Sequence, residues 1–511
     1  MPTLHKIYGP PGTGKTTRLV QIVIDAVNGG MPIENIAYLA HTKAAADEAY
    51  ERAAKHVPKG RRPRYFCTIH AAARRMTALG INQIWGGAEW GELSRMTGMR
   101  FNVGAEFDDE ASSDTIGDPL IQCVNFAKAR MIPVEAAMEN FERYEVVTLS
   151  NVAMIEQAMA TIKKANDKYD FDDILAMYDR YPEPLPAELV LIDEAQDLSV
   201  FQWRIVQKMW GNAKRVVLCG DDDQSIYSFL GADPDGFLNF PCDTQEVLPV
   251  SYRVPRNIGA VAERIIKPVA KRQKKQLIWR DEPGEIAKVF ADTRTLPIKA
   301  GETTMVLVRH NIQGRAVYKA IREEGIPVAY NGESYLTDKE ARAISIYHRL
   351  REGGEVTWNE GIAMLKEMPG KERSVAAAQA RKIAKGEKRK KLMAADFDIK
   401  FVENPAHQFG TTMQSAKLVS LICWNVEKFG TGILLKIPDV NVMTIHAAKG
   451  READHVIVVP DCYASVWEAQ EGKERDTERK VAYVAATRAR HKLTVLFPNS
   501  DMYIRSIVEA V

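Results

Sequence analysis

The sequence predicts an α/β protein with two parallel-sheet cores, each interrupted by a mostly helical insert. Short apolar segments end in polar or glycine-rich turns, and helical stretches follow most of them, which is the pattern of parallel sheets. The chain has 511 residues, which is too long for one compact core. The predicted strands are His5–Tyr8, Ile36–Ala40, Leu189–Ile192, Val216–Cys219, Thr304–Val308, Val440–Thr444, Val456–Val459 and Leu493–Phe497.

Helix-rich stretches lie between the strands and divide the chain into four predicted domains. The first insert contains an acidic segment with glycine and serine, Glu106–Asp118, which we expect to be a mobile loop. The second insert contains the basic run Arg381–Lys391. We expect no internal repeat and no appended domain. The predicted boundaries are 1–70 and 182–250 for the first core, 71–181 for its insert, 251–350 and 436–511 for the second core, and 351–435 for its insert.

The composition predicts a soluble cytoplasmic protein. Hydrophobic residues make up 46% of the chain, and the net charge is only +2, so any surface for nucleic acid must be local. The six cysteines lie far apart without a C-x-x-C pair, which argues against a zinc site or a disulfide framework. We expect no signal peptide, because a strand and a glycine-rich loop follow at once. We also expect no membrane partner, because no apolar run approaches the ~20 residues that span a bilayer.

The segment Gly9–Thr16 (GPPGTGKT) matches the phosphate-binding pattern G-x-x-x-x-G-K-[ST]. A predicted strand precedes it and a predicted helix, Thr17–Val27, follows. Glycines let backbone N–H groups surround a phosphate, and the helix N-terminus favours negative charge. Lys15 is expected to reach the β- and γ-phosphates of ATP, and Thr16 to hold Mg²⁺. The predicted nucleotide-binding residues of this loop are Gly9, Pro10, Pro11, Gly12, Thr13, Gly14, Lys15, Thr16 and Thr17.

An acidic segment follows the predicted strand Leu189–Ile192. Parallel sheets place ligands at the carboxyl ends of their strands. Asp193 is therefore expected to hold Mg²⁺, and Glu194 to polarise the attacking water as a catalytic residue. An acidic pair after a strand is usually a solvated turn, but a P-loop in the same sheet favours the catalytic interpretation.

Seven further segments occur in the order found in superfamily 1 DNA helicases of the UvrD/Rep/PcrA type, and the chain resembles this family. The segment Gly220–Phe229 (GDDDQSIYSF) is nearly identical to the family's G-D-D-D-Q-S-I-Y. The matches run from residue 5 to residue 497 and cover both predicted cores but neither insert. The other matching segments are Ala40–Ala46, Cys67–His70, Ser251–Arg253, Val308–Asn311, Met443–Glu452 and Ala482–Arg490.

The resemblance implies two RecA-like cores with ATP between them. It gives Gln224 the catalytic role of a γ-phosphate sensor, and Arg253 and Arg488 the catalytic role of arginine fingers. Either arginine could instead be an ordinary surface residue. The resemblance also implies that Tyr252 stacks on the adenine and that Glu452 accepts a hydrogen bond from the ribose.

The resemblance further implies a track for single-stranded DNA, built from backbone contacts and stacked aromatic rings. Tyr227 and Phe229 are two residues apart, so both could face one side of an extended segment, although core packing is the alternative. His446 is expected to couple the DNA and ATP sites, whereas a lone histidine is more often a core residue. The implied nucleic-acid contacts are Lys43, Thr68, His70, Tyr227, Phe229, Arg309, Thr444 and His446.

Three basic runs are further candidates for phosphate contacts, although such runs are usually solvated faces. The runs are Lys59–Arg64, Lys267–Arg280 and Arg381–Lys391, and the last is the best candidate for gripping a duplex. The chain also departs from the family pattern, because His41 stands where a stacking phenylalanine is usual and Leu230 where an arginine is usual. No glutamine segment is expected before the first strand. The short inserts suggest a compact member such as a phage encodes, acting in the host cytoplasm.

The resemblance implies an ATP-dependent DNA helicase that translocates on single-stranded DNA with 3′→5′ polarity. Its expected substrates are single strands and forked duplexes, and its expected partners are proteins of replication or repair. Three alternatives remain: a translocase that strips proteins from single strands, an RNA-directed motor, and a nucleotide-dependent binding switch. The complete set of hydrolytic residues argues against the switch.

Overall fold

The computed structural model describes residues 2–56, 62–101, 117–142, 144–293, 295–299, 301–333, 338–367, 391–397, 438–472 and 474–511. These residues form two compact units. The first comprises Met1–Ile286, Cys462–Lys492 and Met502–Val511, and the second comprises Ala287–Asp461 and Leu493–Asp501. Residues 251–286 and most of the chain after residue 461 therefore belong to the first unit, whereas the sequence analysis assigns them to the second core.

The first unit contains a six-stranded sheet in which every neighbouring pair is parallel. Its strand order is β3-β2-β4-β5-β1-β6. The prediction of a parallel α/β core is confirmed, and the four strands predicted here all form. The strands are β1 (Thr3–Tyr8), β2 (Ile36–Ala40), β3 (Phe66–Thr68), β4 (Leu189–Ile192), β5 (Arg215–Gly220) and β6 (Thr244–Val247).

Helices cover both faces of this sheet, which explains why β2 and β4 are apolar along their whole length and fully buried. Thr42 caps the N-terminus of one helix, and Ser199 forms a capping box with Gln202 at the start of another. Because the strands are parallel, the loops after β1, β2, β4 and β5 meet at one edge of the sheet. The flanking helices are α1 (Lys15–Asn28), α2 (Lys43–Ala53), α9 (Val200–Met209) and α10 (Pro234–Asn239).

The first insert is helical, as predicted. It has a hydrophobic core of its own, in which Leu93, Leu120, Val124, Ile155 and Ile162 are buried. Its first and last helices instead pack on the core of the sheet. The helices are α3 (Ile69–Met76), α4 (Gly87–Thr97), α5 (Asp118–Arg130), α6 (Val134–Met138), α7 (Leu149–Asn166) and α8 (Phe171–Arg180).

The rest of the first unit comes from two distant parts of the chain. Strands β7 (Val250–Pro255) and β8 (Ile278–Arg280) form a small parallel sheet, and α11 (Arg256–Ile266) lies between them in sequence. Near the C-terminus follow α15 (Ala464–Ala469), α16 (Arg475–Ala486) and α17 (Arg505–Val508). Helix α16 packs against α11 and against the turn Asp222–Gln224 after β5.

The second sheet has the order β11-β14-β10-β15-β16-β9, and the pairs around β10 and β14 are parallel. The four strands predicted here form with small shifts. The strands are β9 (Glu285–Val289), β10 (Thr304–Val308), β11 (Val328–Tyr330), β14 (Val440–Thr444), β15 (Ala453–Val458) and β16 (Ala489–Leu496), with α12 (Asn311–Glu323) after β10.

The described part of the second insert contains one helix and a short antiparallel pair of strands, and a further helix directly precedes it. These elements are α13 (Asp338–Arg351), β12 (Val356–Thr357), α14 (Trp358–Glu367) and β13 (Lys391–Leu392). The predicted acidic loop Glu106–Asp118 and the basic run Arg381–Lys391 lie almost entirely outside the described residues. Among the helices that are described, none combines the length and the apolar character required to cross a bilayer.

Candidate nucleotide site and nucleic-acid interface

The P-loop Gly9–Thr16 joins β1 to α1 at the carboxyl edge of the first sheet. Gly12 and Gly14 have positive φ values of 72° and 82°, which glycine adopts without strain. Nζ of Lys15 donates to the carbonyl oxygen of Gly9 at 2.9 Å. A Cβ on Gly9 would lie 2.0 Å from Cγ of Lys15, so the lysine can fold back over the loop only because residue 9 is glycine.

Asp193 and Glu194 follow β4 at the same edge. Tyr38, in β2, donates its hydroxyl proton to Oδ2 of Asp193 at 2.8 Å. Burial, together with the charge of Glu194, raises the pKa of Asp193 to about 6. Nζ of Lys15 lies 3.8 Å from Oε1 of Glu194. Burial opposes the charge of Lys15, but Glu194, Asp221 and Asp193 outweigh that effect and raise its pKa.

These residues fit a Mg²⁺ ion bound together with nucleotide. Burial and the nearby charge of Glu194 disfavour the charged form of Asp193 and raise its pKa, and a divalent cation would offset both effects. Mg²⁺ usually takes one or two protein ligands and completes its shell with waters and phosphates. Asp193 and the hydroxyl of Thr16 suit that role, and the described residues contain no cluster of three or more His, Cys, Asp or Glu that could hold a metal.

Glu194 has an unusual backbone conformation and a buried partner that the sequence analysis missed. Its φ of 53° lies in the left-handed region, which non-glycine residues rarely adopt and which is common at active sites. Nε2 of Gln196 donates to Glu194 at 2.7 Å and to Asp197 at 2.9 Å. Oε1 of Gln196 accepts from the backbone N–H of Asp221 at 2.9 Å. Gln196 therefore fixes Glu194 relative to the loop after β5. In the sequence, the only signal for this role is that Gln196 lies two residues after Glu194.

Gln224 and Arg488 form a buried pair within the first unit. Nη2 of Arg488 donates to Oε1 of Gln224 at 2.9 Å, and its Nε donates to the carbonyl oxygen of Val484 at 3.0 Å. Nε2 of Gln224 donates to Oδ2 of Asp221 at 2.5 Å. Only 1% of Arg488 and 4% of Gln224 is exposed. Arg488 is thus not a helix-surface residue, and its head group contacts the residue that the resemblance assigns to γ-phosphate sensing.

Strand β7 lies directly against the P-loop. The backbone N–H of Tyr252 donates to the carbonyl oxygen of Gly12 at 2.9 Å, and Oγ of Ser251 donates to that of Pro11 at 2.7 Å. A Cβ on Gly12 would lie 2.3 Å from Cβ of Arg253, so this approach also requires glycine. Arg253 is half-buried, and the side chain of Tyr252 is exposed, as an unpaired stacking surface would be.

Four predicted site residues lie in the second unit. Arg309 directly follows β10, and Thr444 is the last residue of β14. The two strands are paired, and Val308 lies opposite Thr444. Arg309, Thr444 and His446 are at most 1% exposed, so none is a surface side chain in this conformation. Oγ1 of Thr444 accepts from the N–H of Ala447 at 3.2 Å. Glu452, by contrast, is exposed.

A cavity of about 550 Å³ opens between the sheet and the helical insert of the first unit. His41 and Tyr227 line it and stack with their ring centres 6.1 Å apart and an angle of 11° between the rings. His41 therefore supplies a flat ring where the family has phenylalanine. Trp85, Trp90 and Phe171 also line the cavity, and sequence analysis identified none of them as site residues. The cavity has the size and the aromatic walls expected of a pocket for a single base.

Tyr227 and Phe229 do not face one side, as the sequence suggested they could. The chain turns through a short 3₁₀ helix at Ser228–Leu230, which tilts the two rings by 52°. Tyr227 lines the cavity described above, whereas Phe229 lines a separate cavity of about 330 Å³ together with Phe126 and Phe141. Two residues that are two apart share a face only in an extended strand.

The other predicted nucleic-acid residues of the first unit have different environments. Lys43 is exposed at the start of α2. Oγ1 of Thr68 accepts from the N–H of Ala71 at 3.2 Å and caps α3. His70 lines the larger cavity and packs edge-on against Phe171 at 5.3 Å. Burial lowers the pKa of His70 to about 4, so it is neutral at physiological pH.

The basic run Lys267–Arg280 is not simply a solvated face. Lys275 is fully buried, and Arg272 and Lys275 both pair with aspartates of the loop after β5. Of the run Lys59–Arg64, residues 59–61 lie outside the described part of the chain. The side chains of Arg272 and Lys275, which pair with aspartates, are therefore not available to phosphates.

The comparisons with known proteins agree with the motifs. Residues 3–245 match the UvrD/REP helicase N-terminal domain, and residues 428–500 match the UvrD-like helicase C-terminal domain. ATP-dependent DNA helicase UvrD2 of Mycobacterium tuberculosis is 24% identical over 95% of this chain and 75% of its own length. YjcD of Bacillus subtilis is 27% identical, and ATP-dependent DNA helicase PcrA of Staphylococcus epidermidis is 28% identical.

These last two alignments cover 62% and 38% of this chain. They span only 45% of YjcD and 32% of PcrA. The two matched domains nevertheless cover more than half of the chain and include every motif discussed above except Ser251–Arg253 and Val308–Asn311. The chain belongs to the UvrD-like family of helicases.

Proposed function

We propose that this protein is an ATP-dependent DNA helicase that moves along single-stranded DNA in the 3′→5′ direction and unwinds duplexes at forks. The proposal is carried by one observation: Lys15, Glu194, Gln224, Arg253 and Arg488 all belong to the first unit. In that unit, Arg488 contacts Gln224, and the strand that carries Arg253 contacts the P-loop. A nucleotide-binding switch with little turnover would not require this set.

In the proposed reaction, water attacks the γ-phosphorus of ATP and the bond to the ADP oxygen breaks. Lys15 and the backbone of the P-loop bind the phosphates, and Glu194 orients the water and accepts its proton. Arg253, Arg488 and Gln224 stabilise charge on the γ-phosphoryl oxygens. Asp193 and Thr16 would hold Mg²⁺, which when bound would supply positive charge to the phosphate oxygens.

Base recognition in the nucleotide site is proposed to rest on stacking. Tyr252 is the exposed aromatic residue beside the P-loop, and Thr17 and the other P-loop residues contact the phosphates. Glu452 is proposed to accept a hydrogen bond from the ribose, as the resemblance implies.

The DNA strand is proposed to contact the first unit at the cavity lined by His41 and Tyr227. An unstacked base enters between aromatic walls, where stacking does not depend on sequence. His70 lines this cavity, whereas Phe229 lines a neighbouring one. Lys43 and Thr68 lie two residues from His41 and His70 in the sequence and are proposed to contact the same strand. Arg309, Thr444 and His446 are proposed to act on the same strand from the second unit. Proteins of replication or repair are likewise proposed as partners of this chain.

The test measures ATP hydrolysis by the full chain alone, with single-stranded DNA and with RNA of the same sequence. It then measures unwinding of duplexes that carry either a 3′ or a 5′ tail. We expect stimulation by DNA and unwinding only with the 3′ tail. Stimulation by RNA alone would identify an RNA motor. Displacement of streptavidin from biotinylated single strands without unwinding would identify a protein-stripping translocase, and absence of turnover with tight ATP binding would identify a switch.

A further inference from the structure

A buried lysine contacts three consecutive aspartates in the loop after β5. The side chains of Lys275, Asp221 and Asp222 are 0% exposed, and that of Asp223 is 1% exposed. Nζ of Lys275 lies 2.8 Å from Oδ1 of Asp221, 2.6 Å from Oδ1 of Asp222 and 2.9 Å from Oδ2 of Asp223. The ammonium group donates hydrogen bonds to Asp221 and Asp223 and forms an ion pair with Asp222.

The neighbours of Lys275 reinforce this contact. Arg272 donates two parallel hydrogen bonds to Asp223, from Nε to Oδ1 at 2.7 Å and from Nη2 to Oδ2 at 2.5 Å. The backbone N–H of Gln273 donates to Oδ2 of Asp222 at 2.8 Å. The segment Arg272–Lys275 thus holds all three aspartates with two side chains and one backbone amide. Such a paired fork of hydrogen bonds fixes geometry as well as charge.

The contact continues from Lys275 to the catalytic groups through Asp221. Oδ1 of Asp221 faces Lys275, and Oδ2 accepts from Nε2 of Gln224. Oε1 of Gln224 in turn accepts from Arg488. A carboxylate only accepts and a guanidinium only donates, so the amide of Gln224 has one orientation that satisfies both partners.

A buried ion cluster is weak evidence for stability, because desolvation offsets much of the attraction between the charges. A stabilising role alone would be served as well by apolar side chains of similar volume. The value of this cluster therefore lies in the orientation that it imposes. One hydrogen-bonded path from the cluster runs through Asp221 to Gln224 and Arg488.

We propose that Lys275, supported by Arg272, is a positioning residue for nucleotide hydrolysis that sets the orientation of Gln224 through Asp221. The inference rests on the proposed function of Gln224 as a γ-phosphate sensor. The side chain of Lys275 is 0% exposed, so it is not accessible to nucleotide or DNA in this conformation. Its loss should therefore impair discrimination of the γ-phosphate and turnover, and leave binding of the diphosphate unchanged.

The experiment compares Lys275→Met, Gln224→Ala and the double variant Lys275→Met/Gln224→Ala in the full chain. For each we measure kcat and KM for DNA-stimulated ATP hydrolysis and the affinities for ADP and for a non-hydrolysable ATP analogue. We expect Lys275→Met to lower kcat by about ten- to hundredfold, as small displacements of catalytic groups do. The preference for the ATP analogue over ADP should fall, while the ADP affinity stays within about twofold. The double variant should be no worse than Gln224→Ala, because both changes act through one group.

Lys275→Met leaves three buried carboxylates with one fewer cation and can impair folding. The variant Lys275→Met/Asp222→Asn has the net charge of the wild type and keeps Asp221, so it separates stability from positioning. We expect it to regain the melting temperature of the wild type but not its ATP-over-ADP preference. Lys214→Met is the matched control, because Lys214 forms an ion pair with Glu188 in which 76% of the lysine side chain is exposed.

The outcomes separate the inference from the proposed function. If Gln224→Ala keeps the wild-type kcat and nucleotide preference, Gln224 is not a γ-phosphate sensor and both ideas are wrong. If Gln224→Ala is impaired while Lys275→Met/Asp222→Asn matches the wild type in kcat and preference, the inference alone is overturned. Additive losses in the double variant would likewise show that Lys275 does not act through Gln224.

Discussion

Tyr38 donates a hydrogen bond to Asp193 across neighbouring strands of the first sheet, at 2.8 Å. Tyr38 is fully buried, and the charge of Asp193 together with its own burial raises the pKa of the hydroxyl well above its usual value, so Tyr38 acts only as a protonated donor here. The hydroxyl of Tyr38 occupies Oδ2 of Asp193. The other oxygen, Oδ1, accepts from the N–H of Glu194 at 3.0 Å. The orientation of the proposed magnesium ligand is thus set from outside the metal shell.

Tyr38→Phe should weaken the use of Mg²⁺ without changing the fold. The substitution removes only a hydroxyl, and loss of such an outer partner typically weakens metal binding by about 10- to 100-fold. The measurement is the Mg²⁺ concentration that gives half-maximal ATP hydrolysis. Tyr65→Phe is a control, because Tyr65 is also buried but its hydroxyl donates to the sulfur of Met76 and not to a carboxylate. An unchanged Mg²⁺ requirement in Tyr38→Phe would mean that Asp193 is positioned by other groups.

Removal of the catalytic side chains should abolish turnover in distinguishable ways. Lys15→Ala should lose both ATP binding and hydrolysis, whereas Glu194→Gln should still bind ATP because only the proton acceptor is lost. Arg253→Ala and Arg488→Ala should each lower kcat by about 10³-fold or more, as in other sites with arginine fingers. Equilibrium binding of a fluorescent ATP analogue and steady-state ATPase assays separate these effects. An Arg488→Ala variant with most of its activity would contradict the role proposed for the pair Gln224–Arg488.

The stacked pair His41–Tyr227 should contribute to binding of single-stranded DNA. Loss of a stacking platform typically weakens binding by about 1–3 kcal/mol per base, so His41→Ala and Tyr227→Ala should each raise the Kd by about tenfold. His41→Phe should retain the affinity, since it restores the ring that the family has. Fluorescence anisotropy with a labelled oligonucleotide measures the effect, and Tyr463→Ala, at another partly exposed tyrosine, serves as control. Equal affinity of Tyr227→Ala and the wild type would place the DNA elsewhere.

The basic run of the second insert should contact duplex DNA. Replacement of Lys388, Arg389, Lys390 and Lys391 with alanine should weaken unwinding and spare the ATPase activity that single strands stimulate, because the run lies outside every motor motif. Fewer counterions would be released on binding, so the salt dependence of duplex affinity should become shallower. A titration of duplex DNA at several salt concentrations measures this slope. A slope equal to that of the wild type would show that the run is only a solvated face.

The regular parts of the fold could be predicted because their physical signals are local. Ile36–Ala40 and Leu189–Ile192 are short apolar runs bounded by polar turns, and both form strands with the predicted bounds. The P-loop could be recognised because its glycines, lysine and threonine must be close in sequence to surround a phosphate. Both sheets follow from such segments.

The contacts between distant segments could not be predicted. Nothing near Lys275 in the sequence indicates that three aspartates about 50 residues earlier contact it. The sequence therefore offers only phosphate contacts or a solvated face for this basic run, and not a buried ion cluster. The approach of β7 to Gly12 depends in the same way on tertiary packing. The turn between Tyr227 and Phe229 is set by a 3₁₀ helix, which has no strong sequence signal.

The buried contact between Asp221–Asp223 and Arg272–Lys275 limits how this sequence can diverge. Loss of the charge of Lys275 would leave buried carboxylates uncompensated, which typically destabilises a protein by about 3–5 kcal/mol. Domains are stable by only about 5–15 kcal/mol, so substitution of Lys275 alone would be severely selected against. In related chains a neutral residue in place of Lys275 should therefore occur with loss of an acidic residue among positions 221–223.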